Sequence, residues 1–364
     1  MSERWQSYEL QQVERVPGLD RAIFRERFQG QRPLIVPGGA LDSPMLARWD
    51  LSYLAQAAGH ARVTVAAYPE DRRDFGSIEP REMSLAEFLR GLAQPARDEV
   101  RYLFNDPSCV FARNEAITRL HVGWAAALNA GLAPLAADFR VPSFVASEEY
   151  VLAVLILGSR DNATALHYDN GGEAKVVVQV RGRKRIILFP PQAAPALRPH
   201  THFRRPEIPG RAGSHAMVDI HAPADASASA DAPAGWVAEL EPGDVAYWPP
   251  FWFHDVENLD DVTMAVGVFV DEVRLPALLL RHTAHLVFQE LLAGAAARAR
   301  GDGAAVQGGS PNVRAGWGVE LAVGDRPAGN LAELFQELER TLLATDASDV
   351  RGLWEWNGRL GRDR

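Results

Sequence analysis

The sequence predicts a mainly β fold with flanking helices, built around a double-stranded β-helix, or jelly roll. Between residues 150 and 272, apolar runs of strand length alternate with turns rich in Gly and Pro. Helical patterns do not separate these runs, as they would in a parallel α/β sheet. Short strands joined by tight turns instead indicate a sandwich or small barrel of the jelly-roll kind.

Three regions are predicted along the chain. Residues 1–149 form an N-terminal α/β region that packs on the barrel, and residues 150–272 form the jelly-roll core. The core carries an insert near residues 192–235, whose low-complexity centre is expected to be a mobile surface loop. Residues 273–364 are expected to be helical, and their apolar stripes predict a homodimer face.

The N-terminal region contains a short buried strand and several helices. A strand is expected within residues 32–39, where an apolar run ends in Pro-Gly-Gly. Asp50 is a candidate N-cap for one helix. Ser84 and Glu87 have the spacing of a capping box, which predicts the start of another. Residues 113–140 are expected to be mainly helical.

The core region is predicted to be a succession of strands joined by tight turns. Gly182 lies in a turn between two apolar runs, and a second turn at residues 241–244 joins two further runs. The predicted strands cover residues 150–158, 174–180, 184–189, 236–240, 245–248, 254–257 and 263–270.

Composition limits the classes of function. The formal net charge of −9 argues against a surface that binds phosphate, nucleic acid or anionic membrane. The single cysteine, Cys109, excludes an internal disulfide and any site built from several cysteines. The N-terminal residues are charged, and no apolar run reaches the length of a membrane span. A cytoplasmic protein with neither nucleic-acid nor membrane partners is expected.

The sequence His167-Tyr168-Asp169 is the first candidate site. On a strand, His167 and Asp169 project from the same face because side chains alternate. Together with a second histidine they would form the two-histidine, one-carboxylate ligand set of non-haem iron oxygenases. About one His-x-acid pair is expected by chance in this composition, so a surface histidine beside a turn is the alternative.

The two lysines of the chain, Lys175 and Lys184, both follow this motif. All other basic positions, apart from histidines, are arginine, which suggests that these two sites require a compact ammonium. Lys184 begins an apolar run that is expected to be buried, and a buried ammonium needs an anionic partner. A dicarboxylate cosubstrate would supply one. Two surface lysines retained by chance are the alternative.

A second histidine is available in residues 243–254. This segment has a tight turn, a strand, two prolines and an aromatic cluster that leads to His254. A jelly roll can bring the ends of non-sequential strands together, so His254 can meet His167 and Asp169 at one mouth of the barrel.

These segments resemble the JmjC/cupin-like family of Fe(II)- and 2-oxoglutarate-dependent oxygenases, in particular the branch with the asparaginyl hydroxylase of hypoxia-inducible factor. The resemblance covers roughly residues 30–271 and rests mainly on residues 164–169, 179–191, 218–223 and 243–254. It implies three Fe(II) ligands: His167, Asp169 and His254. It also implies three residues around 2-oxoglutarate, the cosubstrate used with O₂: Lys184, Thr164 and Tyr102. Lys175 is a fourth candidate contact, although it is not the residue that the family usually has at its position.

Two positions depart from the family pattern. Lys175 and Gly267 stand where the family often has asparagine, and both positions face the cofactor pocket in relatives. A lysine there would contact the cosubstrate or the substrate, and a glycine opens room. The substrate geometry or the cosubstrate binding is therefore expected to differ from that of relatives.

The resemblance implies an oxygenase that hydroxylates an unactivated C–H, with no catalytic residue beyond the metal centre. A peptide or protein side chain is the first expected substrate. A free amino acid or a secondary-metabolite intermediate is the alternative, and a catalytically silent cupin scaffold is the non-enzymatic one. The histidines of the 192–235 insert, including His200 and His215, are expected to lie exposed in a loop.

Overall fold

The structure is a computed structural model that describes most of the first 270 residues and two short segments beyond them. The described residues are 8–68, 79–93, 100–103, 107–115, 128–160, 162–169, 173–190, 193, 197, 199–201, 214–216, 233–250, 252–270, 312–314 and 320–322.

The described helices and the first six strands lie in the N-terminal region. The helices are α1 (Arg21–Arg27), α2 (Pro44–Arg48), α3 (Leu51–Ala58) and α4 (Leu85–Ala93). The strands are β1 (Leu10–Gln12), β2 (Leu34–Val36), β3 (Arg62–Tyr68), β4 (Glu79–Ser84), β5 (Val100–Leu103) and β6 (Val110–Arg113).

The core strands follow the predicted order. They are β7 (Tyr150–Gly158), β8 (Ala163–Tyr168), β9 (Ala174–Arg181), β10 (Lys184–Phe189), β11 (Pro199–Thr201), β12 (Ser214–Ala216), β13 (Gly235–Leu240), β14 (Val245–Trp248), β15 (Phe253–Asn258) and β16 (Thr263–Val270). The predicted ends of β7, β10, β14 and β16 are those observed, because turn residues bound each of these apolar runs.

Two sheets form the barrel, which confirms the predicted jelly roll. One sheet has the order β1-β13-β10-β15-β8-β12-β11. The other has the order β2-β14-β9-β16-β7-β5-β3-β4, with β6 also paired to β7. Most consecutive core strands lie in opposite sheets, which is the arrangement found in a double-stranded β-helix. The N-terminal region contributes strands to both sheets.

The turn between β9 and β10 requires glycine. Gly182 has a φ of 65°, and a Cβ at this position would lie 2.4 Å from the backbone oxygen of Val262. Only glycine takes such a backbone conformation at little cost. This turn carries the chain from one sheet to the other and places Lys184 at the first position of β10.

The N-terminal helices begin where the sequence predicts. The Asp50 carboxylate accepts a hydrogen bond from the Tyr53 backbone N–H at 2.7 Å. The Ser84 hydroxyl accepts from the Glu87 N–H, and the Glu87 carboxylate accepts from the Ser84 N–H. Both predicted caps are confirmed. They anchor α3 and α4, which pack beside each other on the larger sheet.

The two faces of β9 serve different parts of the core. Val176 and Val178 belong to the large cluster formed with the N-terminal helices. Val177 belongs to a second cluster between the sheets, where it packs with Ile186 and Leu188 of β10. Lys175 has the same parity as Val177 and therefore projects into the barrel.

Part of the chain differs from expectation or lies outside the described residues. Within residues 113–140, the described part includes a 3₁₀ helix at Ala133–Asp138 rather than an α-helix. In the C-terminal region the structure describes one antiparallel strand pair, Asn312–Arg314 with Glu320–Ala322. The expected C-terminal helices and most of the insert lie outside the described ranges. Among the described helices, none has the length and apolar character needed to cross a membrane.

Candidate metal and cosubstrate site

The structure brings His167, Asp169 and His254 together at one end of the barrel. One ligand atom from each residue lies within 4.8 Å of the other two. His167 Nε2 is 3.9 Å from Asp169 Oδ1, and His254 Nε2 is 4.0 Å from Asp169 Oδ2. Two imidazoles and one carboxylate at these separations can bind a single divalent ion and leave other positions around it open.

Strand register explains why the two histidines meet. His254 of β15 is the direct cross-strand partner of His167 of β8. Directly opposed residues of an antiparallel pair project from the same face with close Cβ atoms. The ring centroids are accordingly 4.2 Å apart.

An irregularity in β8 adds Thr164 to the same face. Val256 pairs with Thr164, although regular alternation from the His254–His167 pair would oppose Val256 to residue 165. One extra residue of β8 therefore lies between Thr164 and His167, as in a β-bulge. Without it, these two side chains would project from opposite faces of the strand.

A hydrogen bond sets the tautomer of His254. Its Nδ1–H donates to the backbone carbonyl of Trp252 at 3.0 Å, which leaves Nε2 with its lone pair directed to the site. Burial, followed by repulsion from His167, lowers the pKa of His254 to about 3. The neutral imidazole is the form that binds a metal ion.

Asp169 provides the negative charge of the site. Burial alone would raise the pKa of this carboxyl, but Lys175, His254 and His167 outweigh it and lower the pKa to about 2. Asp169 is therefore ionised across the ordinary pH range. The ammonium of Lys175 is 3.7 Å from Asp169 Oδ2.

Lys184 lies elsewhere in the barrel interior, with 1% of its surface exposed. Its ammonium donates to the side-chain oxygen of Asn258 and, at 3.4 Å, to the hydroxyl of Tyr102. Burial lowers its pKa to about 7. Within the described part of the chain, no carboxylate forms an ion pair with Lys184. The cation therefore lacks the anionic partner that a buried charge requires.

Two polar groups at the start of β8, which pairs with the other side of β15, lack partners among the described residues. The Thr164 hydroxyl and the Asn162 side-chain NH₂ are buried and make no hydrogen bond within the described residues. Most buried polar groups are hydrogen-bonded, so an unsatisfied hydroxyl in a polar interior suggests a bound group. The distal carboxylate of 2-oxoglutarate would satisfy Lys184 and Thr164, so the residues present fit this cosubstrate.

Gly158 allows the polar groups to crowd together. A Cβ on Gly158 would lie 2.6 Å from Asn162 Oδ1, 2.7 Å from Asn258 Nδ2 and 2.7 Å from Tyr102 Cδ2. No real Cβ tolerates such distances. Glycine at the end of β7 is therefore required for Tyr102 and Asn258 to reach Lys184.

The predicted site residues thus fall into two groups. One group contains the three candidate metal ligands and Lys175. The other contains the residues predicted to surround the distal carboxylate of the cosubstrate: Lys184, Tyr102 and Thr164. Sequence reasoning missed Asn258, which holds Lys184, and Asn162. Asn258 could have been found, because it lies four residues after His254 and therefore on the same face of β15.

The insert contributes a neighbour to the metal ligands. In β12, His215 is the cross-strand partner of His167, and in β11, His200 is the partner of His215. The register thus places four histidines in one transverse row: His254, His167, His215 and His200. The expectation that His200 and His215 occupy an irregular loop is wrong, because His200 lies on the edge strand β11 and His215 on its neighbour β12.

Comparison with known proteins gives a family match over the barrel. Residues 20–273 match the cupin-like domain family. The tRNA wybutosine-synthesizing protein 5 of Gallus gallus is 26% identical over 263 residues, which is 70% of this chain and 76% of that protein.

Two other relatives match over smaller parts of their length. The tRNA wybutosine-synthesizing protein 4 of Gibberella zeae is 29% identical over 255 residues, 68% of this chain and 22% of that protein. The Lysine-specific demethylase JMJ31 of Arabidopsis thaliana is 29% identical over 133 residues, 36% of this chain and 23% of that protein. These matches do not show the finer resemblance to the asparaginyl-hydroxylase branch.

Proposed function

The chain belongs to the cupin-like domain family, and from this premise we propose that it is an Fe(II)- and 2-oxoglutarate-dependent oxygenase that hydroxylates an unactivated C–H bond. The observation that carries the proposal is the pairing of a His-Asp-His group with a buried lysine that has no anionic partner among the described residues. A metal ion alone would explain the first feature but not the second.

The residues have separate roles in this proposal. His167, Asp169 and His254 hold the metal ion, with His254 kept in the required tautomer by Trp252. Lys184 pairs with the distal carboxylate of the cosubstrate, while the hydroxyls of Thr164 and Tyr102 complete its hydrogen bonds. Lys175 lies at the metal end.

Iron and the cosubstrate supply the oxidation: with O₂, 2-oxoglutarate is converted to succinate and CO₂, and one oxygen atom enters the substrate C–H bond. The protein orients the cosubstrate through Lys184 and excludes water with the apolar cluster between the sheets. Burial of His254 lowers its pKa and keeps this imidazole unprotonated for the metal ion.

We propose a peptide or protein side chain as the first substrate class, in line with the relative that is named a lysine-specific demethylase. A free amino acid or metabolite is the alternative. Mass spectrometry of a host lysate incubated with the protein separates these, because the added oxygen appears either on protein or on small molecules.

A tRNA is a second candidate substrate, supported by the names of the wybutosine-synthesizing relatives. This candidate conflicts with the expectation of no nucleic-acid partner that the net charge of −9 suggested. Incubation with total tRNA, followed by nucleoside mass spectrometry, tests it directly. A cytoplasmic location and a homodimer remain proposals.

Anaerobic titration with Fe(II) and 2-oxoglutarate tests the cofactor chemistry. The proposal predicts a weak visible charge-transfer band that requires both components and that weakens in Lys184→Met. Iron binding without the band would leave a cupin that does not use 2-oxoglutarate. Absence of any iron binding would leave a scaffold or binding protein.

A further inference from the structure

Lys175 is a buried cation directly beside a metal ligand. It lies on β9, opposite Trp248 of β14 and Phe269 of β16. Its Nζ is 3.7 Å from Asp169 Oδ2 and 3.5 Å from the centroid of the Phe269 ring. The carboxylate and the aromatic face together hold the ammonium at the metal end of the barrel.

Gly267 lies beside this lysine. A Cβ at Gly267 would lie 3.4 Å from Lys175 Cε, 3.0 Å from Val154 Cγ2 and 3.1 Å from Ile156 Cδ1. The tight contacts of such a Cβ are with Val154 and Ile156, whereas its contact with the lysine stem is an ordinary van der Waals distance, so Gly267 adjoins Lys175. The two departures from the family pattern, Lys175 and Gly267, are therefore spatially related.

The ammonium and the metal ion compete for the same carboxylate. Burial lowers the pKa of Lys175, whereas the carboxylates of Asp169 and Glu173 oppose this shift and favour the charged ammonium. Among the described residues, this ammonium forms an ion pair with Asp169 Oδ2 at 3.7 Å. A divalent ion on Asp169 would place like charges within a few ångströms in a buried site. Such repulsion is large where the effective dielectric constant is low.

A dianionic cosubstrate would relieve this repulsion, because its metal-binding end brings negative charge next to both cations. Resting on the proposed function, we propose that Lys175 is a positioning residue that makes metal binding depend on 2-oxoglutarate. Acting through Asp169, Lys175 weakens the binding of metal alone and favours the joint binding of metal and cosubstrate.

Thermodynamic linkage makes this proposal measurable. The factor by which 2-oxoglutarate strengthens metal binding equals the factor by which metal strengthens 2-oxoglutarate binding. If Lys175 contributes to this factor, a neutral side chain at position 175 will reduce it. Metal alone will then bind more tightly, since Asp169 no longer has a competing cation.

The experiment is an anaerobic titration with Mn(II), in which electron paramagnetic resonance measures the free ion with and without saturating 2-oxoglutarate. The proteins are the wild type, Lys175→Met, Lys175→Gln and the charge-retaining Lys175→Arg. Arg27→Met is the matched control, because it removes one positive charge from an exposed pair with Glu14.

The wild type and Arg27→Met should show strong coupling. In Lys175→Met and Lys175→Gln, metal alone should bind at least about tenfold more tightly, and the coupling factor should fall by a similar amount. Lys175→Arg should retain most of the coupling. A general loss of structure would weaken metal binding instead, which is the opposite direction.

The outcomes separate the two proposals. Equal coupling factors in the wild type and the neutral variants would overturn the role of Lys175 while leaving the proposed function intact. If 2-oxoglutarate does not bind metal-loaded wild-type protein at all, the proposed function fails. If neither neutral variant folds, a coupling factor below about tenfold in the wild type alone would also overturn the inference.

Discussion

The ammonium of Lys184 donates a hydrogen bond to the side-chain oxygen of Asn258, four residues after the candidate metal ligand His254 on the same strand. One strand thus supplies a residue to the candidate metal group and a hydrogen-bond partner to the lysine proposed to bind the cosubstrate. Because both side chains share one face of β15, the two groups line a common interior.

The three ligands should be required together for metal binding. Replacing Asp169 with Asn removes the negative charge of the site. We expect the Mn(II) affinity to fall by more than about 100-fold, because losing a direct ligand should cost more than losing a residue that only orients a ligand. Isothermal titration calorimetry measures this. The control is Asp255→Asn. Asp255 follows His254 but projects from the opposite face of β15, so the Mn(II) affinity of this variant should stay within about tenfold of the wild-type value.

Lys184→Met should stabilise the protein while it weakens cosubstrate binding. The substitution removes a buried cation without an anionic partner among the described residues, and a well-packed apolar replacement of buried charge can add about 1–4 kcal/mol. Urea unfolding and 2-oxoglutarate titration of Mn(II)-loaded protein measure the two effects. A loss of stability together with unchanged cosubstrate affinity would show that Lys184 is structural.

The affinity for 2-oxoglutarate should fall as pH rises above 7. Burial lowers the pKa of Lys184 to about 7, and only the charged form pairs with a carboxylate. The decrease should approach tenfold per pH unit until the higher pKa of the bound state is reached. Calorimetry between pH 6.5 and 8.5 tests this, and Lys184→Met should show no such dependence.

The lowered pKa of Lys184 should make the cosubstrate-free protein more stable as pH rises, whereas it makes cosubstrate binding weaker. Between pH 7 and the ordinary lysine value of 10.5, the unfolded chain carries a proton on Lys184 that the folded chain has lost. The free energy of unfolding contributed by this residue should therefore rise with pH across this window. A contribution that falls with pH, measured as the difference between wild type and Lys184→Met, would contradict the lowered pKa.

Thr164→Val tests the unsatisfied hydroxyl. Valine has nearly the same shape, and the hydroxyl has no partner among the described residues, so stability should be unchanged or slightly higher. The loss of one hydrogen bond to a charged group should weaken 2-oxoglutarate binding by about 10–100-fold. Thr64→Val, on β3 in the N-terminal region, is the control and should leave that affinity unchanged.

The Asp138 carboxylate should stabilise the fold without affecting the affinity for metal. Its buried carboxylate accepts hydrogen bonds from Arg48, Trp49 and Tyr53, which ties α2 and α3 to the 3₁₀ helix. Asp138→Ala should lower the free energy of unfolding by about 1–3 kcal/mol, because it leaves the buried Trp49 N–H without its acceptor. Asp42→Ala, on the surface, should change it by less than about 0.5 kcal/mol. Mn(II) affinity should be the same in both variants.

Local patterns in the sequence were sufficient for most core strands and for two helix caps, but not for β11 and β12. Strand ends at β7, β10, β14 and β16 follow from apolar runs bounded by turn residues, and Asp50 and Ser84 cap their helices through contacts within three residues. The candidate ligands could also be named, because residue type and alternation are visible without a structure. Each of these features depends on neighbours close in the chain.

Other features depend on residues far apart in the chain. Alternation alone would place Thr164 and His167 on opposite faces, and only the pairing of β8 with β15 shows the extra residue that aligns them. The support of Lys184 by Asn258 and the place of His215 beside His167 likewise arise from strand register.

The sequence by itself determined which chemical groups this protein has available: two imidazoles, one carboxylate and two lysines in a β-rich core. The tertiary structure decided which of them meet. It placed Lys175 against Asp169 and left Lys184 with Asn258 and Tyr102. The physical reason is that register and sheet packing are set by the burial of many side chains at once, whereas the residues within one strand determine only its alternation.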